Sequence, residues 1–247
     1  MLDLSRKPPA TITERMNARI DAALEIEQAA QPDRDYLGGS RVGVECERAL
    51  QYEFTKTPVD PGKDLSGRII RVFARGHWVE SAMIKWLRTS GYGLVAGDEH
   101  GKQFEFVAHD GYVKGHDDGF FAAGPEEFGP YPRLWECKGL MQKYYLPIVK
   151  HGLLEKSPTY YGQVQYYMQK FDLTANPALY SVININTMEI YWEEIPFDPN
   201  YFDMLDAKVN RIIQSCLGGE LLPRMNQNRD YFKCKMCSYR QRCFPNQ

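Results

Sequence analysis

Between Ser66 and about Thr89 the apolar residues Ile69, Ile70, Phe73, Val79, Met83, Trp86 and Leu87 recur at helical spacing, interrupted only by Gly76. That pattern predicts a long core helix. The period then changes: GLVA, QFEFVA, GYVKG and GFFAA are short β-rich runs divided by Gly, Asp and His, the pattern of a meander, and RLWECKG (133 to 139) is one more strand. Two helical stretches follow, MQKYYLPIVKHG and SPTYYGQVQYYMQKFD, the second opened by Ser157-Pro158. ALYSVININ and MEIYWEEI predict a hairpin around Asn186-Thr187, and a helix from about Asp198 to Leu217 leads to a cysteine-rich tail. Helix, strands, helices, strands, helix is the order of a mixed central sheet flanked by helices, an α/β layered domain.

A chain of 247 residues, 43% of them hydrophobic, can bury one full-sized core with little left for a second. Residues 1–37 are expected to form an N-terminal helical appendage and residues 38–247 the main domain. Within the appendage, residues 11 to 30 predict a helix capped by Thr11 or Thr13, with Met16, Ile20, Ala23 and Leu24 as a narrow apolar stripe packed on the core. CERALQYEF (46 to 54) is a short helix between two loops rich in Pro, Asp and Gly. No stretch approaches the roughly 20 apolar residues of a membrane span, and MLDLSRKPPATITER has no apolar signal-peptide core, so a cytoplasmic protein without a membrane partner is expected.

Two places concentrate chemistry. In GHDDG (115 to 119) an acidic pair sits between glycines at the end of a strand. In LWECKG, Glu136 and Lys138 are two apart, so on a strand both point to one face while Trp135 and Cys137 point to the other. Cutting a phosphodiester needs a divalent cation to polarise the phosphoryl oxygen, and a cationic side chain to steady the water or the developing charge. Carboxylates on neighbouring strands with a lysine meet that need, and magnesium suits an all-oxygen site. Each piece also has an ordinary reading, a glycine-flanked acidic turn and a solvated strand face. The ordered set is more specific: Gly76 to Glu80 on a helix, Asp118 after a strand, Glu136-Cys137-Lys138 on the next, Gln163 to Tyr167 on a following helix.

On those residues, over roughly 38 to 245, the sequence resembles the RecB-like branch of the PD-(D/E)XK nucleases, which includes CRISPR-adaptation exonucleases and many phage recombination exonucleases. The resemblance implies a restriction-endonuclease-like core and a metal-dependent DNA exonuclease using Mg2+ or Mn2+ in end processing, recombination or repair. Asp118 and Glu136 would bind the metal with the main-chain carbonyl of Cys137, and Lys138 would orient the attacking water. Gln163 and Tyr167 match the family's Q-x-x-x-Y helix motif. Many members carry histidine four residues after the first motif's glycine; here that position is Glu80, assigned as a supporting metal ligand, with His77 just after the glycine. His77 is read as a packed helix residue, and Asp117 as turned from the site that Asp118 faces.

Three of the six cysteines crowd into the last fourteen residues, as Cys234, Cys237 and Cys243 in a C-x2-C-x5-C array. Such spacing suggests metal or cluster ligation by thiolates. Cys46 resembles the distant N-terminal cysteine with which certain RecB-like nucleases, AddB-type and CRISPR-adaptation enzymes among them, complete a 4Fe-4S cluster. Four thiolates suit Zn2+ as well. Cys137 and Cys216 are read as packing residues.

The net charge of -2 and pI near 6.2 do not announce a nucleic-acid binder. Arg68, Arg71 and Arg75, and Arg229, Lys233, Lys235, Arg240 and Arg242, are local basic groups that are either solvated faces or phosphate contacts. Tyr144-Tyr145, Tyr160-Tyr161 and Tyr166-Tyr167 could stack bases or fill the core. The expected partner is DNA, single-stranded or as duplex ends, with a single-strand annealing protein or a CRISPR integrase implied by the resemblance. The competing expectation is a catalytically silent DNA-binding or protein-interaction module retaining the fold.

Overall fold

A computed structural model describes residues 11–32 and 34–245. In chain order the elements are α1 (Ile12–Ala29), β1 (Leu37–Gly38), α2 (Glu47–Phe54), α3 (Gly67–Thr89), β2 (Gly93–Val95), β3 (Glu105–Ala108), β4 (Val113–His116), β5 (Gly119–Ala123) and β6 (Arg133–Leu140). They continue with α4 (Gln142–His151), α5 (Leu153–Lys156), α6 (Pro158–Lys170), β7 (Ala178–Asn184), β8 (Ile190–Ile195), α7 (Pro199–Leu217), α8 (Phe232–Met236) and α9 (Arg240–Cys243).

The strands form two sheets. The larger runs β2-β5-β6-β7-β8; its one parallel pairing, β6 with β7, is the step whose crossover carries α4, α5 and α6. Because side chains alternate on a strand, each face of this sheet has its own core. Trp135, Cys137, Phe121 and Ile183 meet Val79, Met83 and Leu87 of α3 on one face. Leu134, Tyr180 and Val182 meet α4, α6 and α7 on the other. Burying each large apolar side chain of α3 here is worth about 1.5–3 kcal/mol.

The expected single meander is in fact split. β3 and β4 form a hairpin that leaves the large sheet and joins β1 in a small one, while β2 skips over it to pair with β5. Close contact decides this: the small sheet seats Phe106 edge-on to Tyr167 of α6, with ring centroids 5.2 Å apart.

The helix α1 has the capping box Thr11–Glu14, but its apolar stripe is not packed as expected: Met16 and Ile20 stay 54% and 46% exposed. Polar contacts hold it to α3 instead. Gly67 N–H donates to Glu25 Oε1 at 2.8 Å, Arg71 pairs with Asp21, and a Cβ at Gly67 would lie 2.3 Å from Asp21 Cα.

Candidate active site

The alternation along β6 is as its sequence implies. Trp135 and Cys137 turn to α3, whereas Glu136 and Lys138 turn toward α6. Glu136 is fully buried, and its Oε1 accepts from both Lys138 Nζ and Gln163 Nε2, the latter at 2.7 Å. Its Oε2 is buried with no partner among the described residues. The Lys138 ammonium lies 5.5 Å from the centroid of the Tyr160 ring.

Asp118 comes from the turn between β4 and β5. Gly119 enters β5 at φ 142°, where a Cβ would stand 2.7 Å from the Val95 carbonyl oxygen, so the glycine permits the turn that delivers Asp118. Asp118 Oδ2 accepts from the Cys137 N–H at 2.8 Å, tying the turn to β6. Asp117, set aside on sequence grounds, is 1% exposed with both carboxylate oxygens unpartnered among the described residues. From α3, Glu80 Oε1 accepts from Gln103 Nε2 at 2.8 Å.

These carboxylates resist ionisation together. Burial, then the charge of Asp118, pushes Glu136 up to about 8, Glu80 up to about 7 and Asp117 up to about 7. Burial disfavours the Lys138 charge, yet Glu136 and Asp118 outweigh it and hold the ammonium protonated well above its usual range. Crowded carboxylates that ionise reluctantly are stabilised by a cation, and the orphaned Glu136 Oε2 is a free oxygen donor, so the site fits a hard divalent ion. Among the described residues no three His, Cys, Asp or Glu side chains are already gathered at ion-binding separation. Oxygens of Glu136, Glu80 and Asp118 are engaged by Lys138, Gln103 and the Cys137 N–H respectively.

Tyr167 follows Gln163 by one helical turn and is 2% exposed. Burial and then the Glu136 charge raise its phenol above the usual range. A Cβ at Gly115 would come 2.8 Å from its hydroxyl, so glycine lets Tyr167 approach the strand that leads to the acidic pair. His77 is corrected from a packed residue: its side chain is 83% exposed, with Nδ1 3.9 Å from Glu80 Oε2. Of the tyrosine pairs, Tyr145, Tyr161, Tyr166 and Tyr167 are core residues, while Tyr144 is exposed and Tyr160 lies under Lys138.

The second constellation is separate. Cys46, at the N-terminus of α2, and Cys234, Cys237 and Cys243 of the tail all line one cavity of about 750 Å³. Burial raises the Cys234 and Cys237 thiols, and the charges of Cys46 and Cys243 raise them further. Tyr239 N–H donates to Cys237 Sγ at 3.4 Å, and Arg48 Nη1 to Cys243 Sγ at 3.8 Å. Buried Asp60 fastens the tail, accepting from the Gln241 and Arg242 N–H groups at 2.6 and 3.2 Å. Cys137 and Cys216 pack within the core clusters, away from this cavity.

Sequence reasoning missed Gln103 and Asp60. Neither carries a local signal, because each matters through a partner distant in sequence.

No family model matches the chain, and no curated protein does. Solved structures do. The crystal structure of SSO0001 is similar at 15% identity and TM-score 0.52, covering 96% of this chain and 100% of that one. An alkaline exonuclease (LHK-Exo) from Laribacter hongkongensis is similar at 14% identity and TM-score 0.51, over 89% of this chain and 97% of its own. LHK-Exo in complex with dAMP matches at 14% identity and TM-score 0.51, over 81% and 92%. Identities this low speak for fold alone: the chain has a mixed α/β fold similar to that of an alkaline exonuclease.

Proposed function

We propose that the chain is a DNA exonuclease that hydrolyses phosphodiester bonds with magnesium or manganese. One observation carries this proposal: Lys138 and Gln163 converge on one oxygen of buried Glu136 while Asp118 is tied to the same strand. The fold it shares with an alkaline exonuclease supports it, as does the dAMP complex of that enzyme.

Glu80, Asp118, Glu136 and the Cys137 carbonyl would hold the divalent ion. When bound, it supplies Lewis-acid polarisation of a phosphoryl oxygen. Lys138, kept protonated by its carboxylate neighbours, offers N–H donors to water and to the charge that develops on the phosphate. Gln163 holds Glu136 in one orientation, and Tyr167 and Tyr160 wall that side of the site. The four cysteines lining one cavity would hold a 4Fe-4S cluster, with Zn2+ as the alternative, stapling the start of α2 to the tail. The substrate would be single-stranded DNA or duplex ends. A recombination or repair setting of phage or mobile-element type, with an annealing protein or CRISPR integrase as partner, rests on the sequence resemblance. No helix among the described residues is long and apolar enough to cross a membrane.

The test is hydrolysis of end-labelled linear DNA by wild type and Lys138→Ala with magnesium, manganese or chelator. Metal-dependent degradation abolished by the substitution is expected. A folded wild type that cuts no linear, nicked or single-stranded DNA would favour the silent binding module instead. Absorption near about 400 nm with bound iron would assign the cluster, and a colourless zinc protein the alternative.

A further inference from the structure

The helix α3 is longer than the sheet it covers. At 1.5 Å per residue its 23 residues span about 34 Å. Ile69, Phe73, Gly76, Glu80, Met83 and Leu87 follow one another at steps of four and three, a single stripe along one face. At the far end of that stripe, Met83 and Leu87 are 1% and 7% exposed against the sheet. Glu80, in its middle, faces the Asp118 and Lys138 charges. Beyond Glu80 the same stripe emerges uncovered, with Phe73 56% and Ile69 39% exposed.

Gly76 sits inside this uncovered half. A Cβ there would meet nothing within 4 Å among the described residues, so no contact they make requires glycine, although a glycine in a helix interior is less stable than alanine. Glycine is expected where another backbone approaches closely. The opposite side of this half-helix is braced by α1 through Gly67 and Arg71, and among the described residues the stripe itself remains open. Arg68 and Arg75 lie along one side of it, seven residues apart, and Arg75 Nε is buried without a partner among the described residues.

We propose that the Ile69–Phe73–Gly76 stripe is the track along which one unpaired DNA strand reaches Glu80, with bases against Phe73 and Ile69 and the sugar-phosphate backbone passing over Gly76. The inference rests on the nuclease reading and extends it. Apolar and aromatic side chains meet base faces, which a duplex keeps stacked and a single strand exposes. The arginines along its side match the phosphate charge, and the stripe is continuous with the site because Glu80 belongs to both.

The experiment compares wild type, Phe73→Ala, Gly76→Leu and Gly76→Ala. It uses single-stranded DNA carrying 2-aminopurine, with cleavage followed in magnesium or manganese and binding in chelator. Phe73→Ala is expected to raise KM for single-stranded DNA about tenfold, as loss of one base–aromatic stack would, and to weaken the change in 2-aminopurine emission. Gly76→Leu should raise KM at least as far by obstructing the track. Gly76→Ala separates the two roles: the melting temperature rises because no described residue opposes the methyl group, while KM rises because the track is obstructed.

If wild type cuts DNA and the variants keep its KM and emission change, the track is wrong and the nuclease reading stands. If wild type binds but does not cut, weaker binding by Phe73→Ala and Gly76→Leu upholds the track on a silent module, and unchanged binding overturns it. If wild type neither cuts nor binds, both fall.

Discussion

The carboxylate–lysine centre and the cysteine-lined cavity are built in opposite ways. Glu136 and Lys138 are neighbours on one strand, and Asp118 reaches them from the adjoining strand pair, so a local backbone pattern positions most of the centre. The cysteine cavity joins Cys46 to residues almost two hundred positions later. It is held by side-chain clasps such as Asp60 on Gln241 and Arg242, and Lys233 on Glu45. The first region is embedded in the core that holds the fold and is strained by like charge. The second depends on a short tail that buries Leu222, Cys234, Tyr239 and Phe244 but leaves Phe232 and Met236 exposed. Substitutions should therefore separate chemistry at one from stability at the other.

Glu136→Gln preserves shape and the contact with Gln163 but removes the charge that holds Lys138. It should lower the rate of DNA hydrolysis about 10²–10³-fold, a loss typical of removing one charge-stabilising group, while the melting temperature stays within a few degrees. A collapse of the fold instead would break the contrast. Asp60→Ala should do the reverse. Losing two N–H bonds to a buried carboxylate costs about 1.5–3 kcal/mol, seen as a melting temperature several degrees lower, with kcat unchanged below the transition.

The two regions should also answer pH with opposite sign in metal-free buffer. Glu80 is raised from 4.5 to about 7, so the folded state binds its proton more tightly than the unfolded state. Stability is then full below 4.5 and is lost as pH rises through about 7. Glu80→Gln should flatten that decline in melting temperature.

Lys208, on the wall of the cysteine cavity, is lowered from 10.5 to about 8 by burial while donating to the Val44 carbonyl at 3.0 Å. The unfolded state holds that proton more tightly, so stability should rise between about 8 and 10.5. Lys208→Met should remove this rise, the smallest of the four effects; an unchanged slope would place the basic-side titration elsewhere.

Much of the molecule was legible in the chain itself. The heptad-like stripe of α3, the period-two alternation of β6 and the hairpin joining β7 to β8 each arise from local spacing, which a strand or helix converts directly into faces. So Trp135 and Cys137 could be assigned to one side of the sheet and Glu136 and Lys138 to the other before any contact was known.

Local spacing cannot say which strand pairs with which, and pairing removed β3 and β4 from the large sheet. Nor can it say how far a helix outruns its support. The first half of α3 has the same pattern as the second, yet it is Val79, Met83, Ile84 and Leu87 of the second half that find a sheet beneath them. Burial of Asp117, the grip of Gln103 on Glu80 and the clasp of Asp60 on the tail arise in the same way. Each depends on a through-space neighbour, and the energy of a buried charge or an unpaired oxygen is set by what the folded chain places around it.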